Sequence, residues 1–563
     1  MKMTGAQVLL KGLLQEGVEI IFGFPGGAVI PIYDELFKQS EIRHVLSRHE
    51  QGAAFMASGY ARASGKVGVA MATSGPGATN LVTGIADAYM DSIPIVCLTG
   101  QVPRLMIGRD SFQEADTTGI TMPIVKHNYL VYDEYELPII VREAFHLART
   151  GRPGPVLIDI PKDVSTAEID LNRVKRRELR GYHPVYEGSE EYLDRAADLI
   201  NDAQRPLLYI GGGVIASGAH EEVRQLAEAG NIPVAWTLMG KGAFPESHPL
   251  AVGMLGMHGA AYANYAITSC DVMIALGVRF DDRVTGRLET FAPEAKVIHV
   301  DIDPAELGKN RTPLVPIQGD VKQVVTQLLP LIEHRPRMAW HEQIAQWKAA
   351  YPLRIKGEED GRLKPQHVIQ ALNEITKGKA IVTTSVGQHQ MWAAQFYRVE
   401  EPRRFLTSGG LGAMGFGFPA AIGAKFARPE EEVWCITGDG SFQMNLQEMA
   451  VAVLHKLPIR IVLINNGYLG MVRQWQQLFH EARYAETYLG GVPDFARLAE
   501  AYGAAGRRVE KVEEIIPALE WAQEFTDRPV LLDFRVAQEE NVFPMVPAGG
   551  DTGRPLLEEP GAE

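Results

Sequence analysis

The chain runs to 563 residues, 46% of them hydrophobic and 22% charged, with a formal net charge of −14. That length exceeds what one hydrophobic core usually holds and points to three domains, and the composition is that of a folded protein, not a disordered one. The acidic balance argues against nucleic acid or an anionic membrane as a partner, since either favours clustered Lys and Arg.

Met1 to Ala6 lead directly into an apolar-periodic helix without the pattern of a signal peptide, and no apolar run approaches the roughly 20 residues of a membrane span. Three cysteines, Cys97, Cys270 and Cys435, lack C-x-x-C spacing, so neither a disulfide framework nor a zinc site is expected. A bacterial cytoplasm is the expected compartment.

Short apolar runs at 67–72, 94–98, 156–160 and 207–210 alternate with helical patterns, which reads as parallel α/β structure. Two charged, proline-bearing stretches, 168–190 and 333–365, read as linkers. The division is then 1–168, 190–335 and 365–563, three doubly wound parallel-sheet domains. Lys175-Arg176-Arg177 in the first stretch reads as a solvated connection. No repeat is visible, although the first and third domains can share a fold.

In the first domain a strand over 42–46 leads to Arg48-His49-Glu50-Gln51-Gly52, where a helix begins. A glutamate there complements the helix macrodipole and by itself says no more. In the second domain, a strand ends in Gly211-Gly212-Gly213 before a helix over 219–229, a nucleotide-binding turn that departs from strict G-x-G-x-x-G. A later strand, 297–303, ends in Asp301 and Asp303, and Gly319-Asp320 follows; these carboxylates can meet a ribose or an adenine.

The third domain is the most informative. A strand at 433–436 delivers Gly438-Asp439-Gly440-Ser441, and a strand at 459–464 delivers Asn465-Asn466-Gly467-Tyr468. Ligands of doubly wound sheets sit at the carboxyl ends of strands, so both clusters should reach one crevice. Glycines let backbone amides approach a phosphate, while the Asp439 carboxylate, the Asn466 amide oxygen and the Tyr468 carbonyl are hard ligands suited to Mg2+ and a diphosphate. Each cluster alone is turn chemistry. Together, with Asn466 following Asp439 by 27 residues, they match the Gly-Asp-Gly…Asn-Asn signature of thiamine diphosphate enzymes.

Further segments narrow the match: Thr73-Ser74-Gly75-Pro76-Gly77-Ala78-Thr79-Asn80, Gly100-Gln101-Val102-Pro103, Phe112-Gln113-Glu114, Gly151-Arg152-Pro153-Gly154-Pro155, Val278-Arg279-Phe280-Asp281-Asp282-Arg283, Val386-Gly387-Gln388-His389 and Gly409-Gly410-Leu411-Gly412-Ala413-Met414. With these the chain resembles the acetohydroxyacid synthase family over nearly its whole length. The resemblance implies thiamine diphosphate, Mg2+ and FAD as cofactors. It implies decarboxylation of pyruvate and condensation of the two-carbon unit with a second pyruvate or with 2-ketobutyrate, the first common step of branched-chain amino-acid synthesis.

The same resemblance assigns roles. Glu50 would hold a pyrimidine nitrogen of the cofactor and favour the tautomer that takes the thiazolium proton, and Gln113 would line the site. Gly387, Gln388, His389, Met414, Gly438, Asp439, Gly440, Ser441, Asn466, Tyr468, Gly470 and Met471 would hold thiamine diphosphate, Met414 bending it. FAD would lie on Gly211, Gly212, Gly213, Thr237, Leu238, Met257, His258, Arg279, Asp281, Arg283, Asp301 and Asp320. Arg283 would meet the ketoacid carboxylate, Trp475 would shape the acceptor pocket, and Lys162 would assist in binding substrate.

A homodimer or tetramer is implied, Glu50 of one subunit meeting the Asp439 site of another, with a separate small regulatory subunit. Arg104-Leu105 departs from the two consecutive arginines of several relatives. The alternatives are a pyruvate oxidase or another thiamine-dependent 2-ketoacid enzyme and, from a different class, a non-catalytic protein that keeps the fold.

Overall fold

A computed structural model describes residues 2–175, 179–355, 361–491 and 493–559. Arg176 and Arg177, and the acidic run 358–360, lie outside the described residues. Three six-stranded sheets follow one another along the chain, and every strand pair within them is parallel. Both faces of such a sheet are covered by crossover helices, which is why strands such as Val156–Pro161 and Val433–Gly438 are buried at every residue and read as unbroken apolar runs.

From edge to edge the first sheet runs Arg43–Leu46, Ile20–Gly23, Gly68–Ala72, Ile95–Gln101, Val156–Pro161, His127–Leu130. The third runs Phe405–Leu406, Ile381–Thr384, Val433–Gly438, Ile459–Asn465, Val530–Arg535, Ala505–Val509. Counted in chain order, both are 2-1-3-4-6-5. The middle sheet, Ala251–Met254, Val234–Trp236, Pro206–Ile210, Val272–Leu276, Lys296–Asp301, Val315–Gln318, is 3-2-1-4-5-6, the dinucleotide-binding order.

The first and third domains dock through helices Glu50–Ser64 and Gly417–Ala427. All but two of the fifteen residues in the first helix are buried, as expected of a helix sandwiched between its own sheet and a second helix. Small residues permit the approach: a side chain on Gly59 would meet the Ala420 carbonyl at 2.2 Å, and one on Gly423 the Met56 carbonyl at 1.9 Å. One apolar cluster accordingly runs from Phe22 and Ala54 to Ile422 and Ile461.

Two expectations change. Only part of the 333–365 stretch is a connection, because it holds the helix Met338–Ala350, which seals the middle domain with Trp340 and Ile344. Trp340 Nε1 donates to the Pro206 carbonyl at 3.0 Å, and buried Arg337 donates to the carbonyls of Ile200, Ala203 and Gly230. The charged residues on either side hid a helix whose apolar stripe, Trp340, Ile344 and Trp347, is short. In the middle domain, the helix expected over 219–229 is His220–Gly230, and a separate short helix, Gly212–Ser217, precedes it. The glycines at 211 and 213 serve backbone contact with Gly277, whose carbonyl and Cα lie 2.4 and 2.6 Å from their absent Cβ positions.

Candidate functional site

The third domain opens a cleft of about 460 Å³ at the carboxyl ends of its strands, lined by Gly387, Gln388, His389, Met414, Gly438, Asp439, Gly440, Ser441, Asn466, Tyr468, Gly470 and Met471. All twelve residues expected to hold thiamine diphosphate thus share one cavity. It lies where strand order reverses, between Ile381–Thr384 and Val433–Gly438, the position at which doubly wound sheets bind ligands. Trp392, Ile464 and Leu469 complete its apolar walls.

Asp439 opens the short helix Asp439–Gln443 and accepts the Gly467 N–H at 2.9 Å, so the two loops predicted to converge are in contact. Burial pushes its carboxyl up to about 6, against the opposing backbone N–H groups of Gly440 and Gly467. The Asn466 oxygen accepts the Tyr468 N–H at 3.1 Å, and its amide nitrogen donates to Gln388 Oε1 at 3.3 Å. Among the described residues no three His, Cys, Asp or Glu side chains could hold a metal. One carboxylate, one amide oxygen and a carbonyl form a donor set that suits Mg2+ sharing its shell with phosphate, and does not suit zinc.

Met414 sits on a loop that is glycine-rich yet firmly held. Gly415 N–H donates to Ser441 Oγ at 2.9 Å and Ser385 Oγ at 3.2 Å, and its carbonyl accepts from Asn445. Asp91, reaching from the first domain, accepts the N–H groups of Gly409 and Gly410 at 3.0 and 2.7 Å and is paired with buried Arg62 at 2.8 Å. Such charge-assisted contacts order backbone that glycine would leave loose. His389 is buried and burial drives it down to about 3, so its ring is neutral beside the cleft.

Glu50 is the first residue of its helix, buried, with Asn80 Nδ2 donating to Oε2 at 2.9 Å. Gln113 takes a left-handed backbone, φ 58°, and its backbone packs against Gly75, so Glu50, Gln113 and the short helix Pro76–Asn80 share the carboxyl edge of the first sheet. Lys162 lies exposed at the same edge, opening helix Lys162–Thr166. Arg104 is anchored by Asp163 at 2.7 Å and Glu134 at 2.8 Å, while Leu105 is exposed.

The residues expected to meet FAD lie at the carboxyl ends of the middle strands. Gly211 follows Ile210, Thr237 and Leu238 follow Trp236, Met257 and His258 follow Met254, Arg279 and Asp281 follow Leu276, Asp301 ends its strand, and Asp320 follows Gln318. Burial raises Asp301 to about 7 and lowers His258 to about 4, and the buried Nδ1 of His258 has no partner. Asp320 also caps helix Val321–Leu328 through Lys322 and Gln323, so its carboxylate has a structural task as well. Arg152 of the first domain reaches this edge, pairing with Asp303 at 3.1 Å and Glu306 at 2.7 Å.

Arg283 and Trp475 converge from different domains, the guanidinium carbon 5.9 Å from the indole centroid. The local pairing that competes for Arg283 is weak, Asp282 lying 3.9 Å away with both side chains exposed. Trp475 belongs to helix Gly470–Phe479, whose first residues line the cleft. Sequence reasoning missed Ser385, Asp91 and Glu448. Ser385 directly precedes a motif that was recognised, whereas Asp91 and Glu448 act across domains and leave no local signal.

Three family models match in succession: the N-terminal TPP binding domain of thiamine pyrophosphate enzymes at residues 3–120, their central domain at 193–328, and their C-terminal TPP binding domain at 385–534. Fold and cleft thus define a thiamine pyrophosphate enzyme. Curated relatives refine this. An acetolactate synthase large subunit of Mycobacterium tuberculosis is 53% identical over 558 residues, 97% of this chain and 90% of that protein. One of Corynebacterium glutamicum is 52% identical over 559 residues, 97% and 89% of the two chains, and one of the alga Pyropia yezoensis is 49% identical over 558 residues, 97% and 94%. The chain belongs to the acetolactate synthase family.

Proposed function

We propose that the enzyme decarboxylates pyruvate and joins the two-carbon unit to a second 2-ketoacid, pyruvate or 2-ketobutyrate, using Mg2+ and FAD beside thiamine diphosphate. The observation that carries this reading is the meeting of Arg283 with Trp475 next to the cofactor cleft. A planar guanidinium suits a carboxylate, and an apolar wall suits a small alkyl group, whose extra methylene is worth about 1–3 kcal/mol of preference. Those are the two ends of a short 2-ketoacid.

Thiamine diphosphate, when bound, supplies the carbon that attacks the ketoacid carbonyl and the electron sink for loss of carbon dioxide. Asp439, Asn466 and the Tyr468 carbonyl would hold Mg2+, and the cleft glycines would give their amides to the diphosphate. Met414 and Trp392, which line the cleft, would exclude water from the reacting end. Glu50 holds or gives a proton at a ring nitrogen of the cofactor, with Asn80 orienting its carboxylate. Gln113 faces the substrate, and Lys162 assists at the mouth. FAD would lie on the middle-domain edge, where Gly211–Gly213, the unpartnered His258 nitrogen and Asp301 fit a dinucleotide.

The cleft is lined by residues 386–472 alone, so Glu50 of the same chain is not on it. A second copy would supply that carboxylate, and a homodimer is the smallest complete unit. Because the relatives are named large subunits, a separate small subunit is proposed as regulator. The domain limits proposed are 1–168, 190–335 and 365–563, with helix Met338–Ala350 added to the middle domain that it seals. The test is acetolactate formation from pyruvate with thiamine diphosphate, Mg2+ and FAD omitted in turn. Oxygen consumption with pyruvate and no acetolactate would overturn the reading in favour of an oxidase.

A further inference from the structure

Helix Gly470–Phe479 carries one fully buried side-chain amide, Gln474, that does not line the cleft and whose side chain bonds a single residue expected to hold the cofactor, Gln388. Its Oε1 accepts the Val542 N–H at 2.9 Å and its Nε2 donates to the Val542 carbonyl at 3.1 Å. A backbone N–H can only donate and a carbonyl only accept, so the direction of the Gln474 amide is dictated by the chain itself.

That direction propagates. Gln388 Nε2 lies 2.9 Å from Gln474 Oε1 and 3.0 Å from the Glu540 carbonyl, both acceptors, so Gln388 must turn its oxygen the other way. There it accepts Asn466 Nδ2 at 3.3 Å. Asn466 is left with its oxygen, which also takes the Tyr468 N–H, directed toward the loop shared with Asp439. An asparagine amide can present either a lone pair or an N–H to a cation, and here two contacts fix which, the Tyr468 N–H on its oxygen and Gln388 Oε1 on its nitrogen. Gln388, Gln474 and Asn466 are all buried, so water does not substitute readily for a missing link. A side chain on Gly470 would sit 2.0 Å from Gln388 Oε1 and break the chain of contacts.

We infer that Gln474 is a positioning residue for the cation site: through Gln388 it holds the Asn466 amide nitrogen, and with it the aim of the oxygen that faces the ion, and it ties that aim to the C-terminal segment 540–542. The inference rests on the Mg2+ and thiamine diphosphate reading above. It explains why one short helix grips the segment repeatedly, Arg473 Nη2 meeting Asn541 Oδ1 at 2.6 Å beside the Gln474 contacts. A segment about 75 residues beyond Asn466 thereby takes part in a site it does not line.

The experiment measures Mn2+ binding by electron paramagnetic resonance at saturating thiamine diphosphate, alongside thermal melts, for the full chain and for Gln474→Met, Gln474→Glu and Gln388→Met. Loss of an outer partner of a metal ligand costs roughly 10–100-fold in affinity. Gln474→Met should raise the half-saturating Mn2+ concentration about tenfold or more with a melt close to that of the parent, and Gln388→Met should do the same. Gln474→Glu, protonated in so buried a place, keeps an acceptor for Val542 N–H and Gln388 Nε2 and an O–H for the Val542 carbonyl, and should stay within about threefold. Parent-like Mn2+ binding in Gln388→Met, or in Gln474→Met, overturns the inference, as does a Gln474→Glu protein as weak as Gln474→Met. If Gln474→Met does not fold, Gln388→Met and Gln474→Glu still decide it. Failure of the parent enzyme to bind Mn2+ with thiamine diphosphate would instead sink the cofactor reading.

Discussion

The first and third domains share one strand order, 2-1-3-4-6-5, yet their carboxyl edges carry different chemistry. In the third, strand Val433–Gly438 ends in Gly438-Asp439-Gly440 and strand Ile459–Asn465 in Asn465-Asn466, so glycine amides and side-chain oxygens meet at the reversal of strand order. In the first, strand Gly68–Ala72 ends in Thr73-Ser74-Gly75 with no acid, and the carboxylate comes from Glu50, after the edge strand Arg43–Leu46. Topology sets where a ligand can sit; the few residues just beyond each strand set what is held there. Even the buried framework corresponds. Val156-Leu157-Ile158-Asp159 and Val530-Leu531-Leu532-Asp533 occupy the same strand of each sheet, and each aspartate bonds a side chain on the neighbouring strand, Thr99 at 2.7 Å and Asn465 at 2.8 Å.

If the third domain grips the cofactor and the first performs proton work, variants at the two edges should separate the two functions. Asp439→Asn should weaken cation-dependent thiamine diphosphate binding by more than about 100-fold, because even outer partners of ligands cost 10–100-fold. Fluorescence titration of the cofactor measures it, and near-parental affinity would break the contrast. Glu50→Gln should instead lower turnover by about 10²–10⁴-fold, the usual worth of a positioned acid or base, while cofactor affinity stays within a few-fold. A variant that lost binding and turnover together would mean that the first domain also grips.

The paired aspartates sharpen the contrast further. Burial raises Asp159 to about 7, and only Thr99 and Gln101 hydroxyl and amide groups offset it. A carboxyl raised on folding lends stability that is whole below its unfolded value near 4 and is lost as pH rises to about 7. Stability should therefore fall over that window by a few kcal/mol on this account, and Asp159→Asn should flatten the slope, read as urea midpoints at pH 5 and pH 8. Asp533 is also raised by burial, but Arg535 at 3.0 Å and Arg508 at 3.9 Å oppose the shift. Removing that charge strands Arg535, so Asp533→Asn should destabilise at pH 8 where Asp159→Asn does not. Equal responses would erase the distinction.

Much of this was legible in the sequence because parallel strands are buried on both faces and announce themselves as apolar runs with glycine and acid at their ends. The Asp439 and Asn466 pair could be read for that reason: each cluster directly follows its strand. The shared topology was harder to see, since it is carried by the order of pairing, and the one sequence echo, Val-Leu-Ile-Asp against Val-Leu-Leu-Asp, is four residues long. Helix Met338–Ala350 stayed hidden because charged flanks and only two buried anchors masked it. Asp91 and Glu448 were invisible for a different reason, each acting on backbone amides more than 300 residues away in sequence.

Glu448 is where the two similar domains meet. It follows Asp439 by nine residues in the third domain, yet both its oxygens accept the Arg48 N–H, at 3.0 and 3.1 Å, at the start of the helix that carries Glu50. That amide meets a fully buried carboxyl at the positive end of a helix, where a carboxylate is favoured by the macrodipole and an unpaired N–H costs about 1–3 kcal/mol. Glu448→Ala should therefore lower unfolding stability by about that amount, the smallest of these effects, and Glu448→Gln, which keeps one acceptor, should lose less. Denaturant unfolding of both variants measures it. If Glu448→Ala unfolds like the parent, the junction depends on the Gly59 and Gly423 helix contact alone, and the entry of the Glu50 helix is set within the first domain.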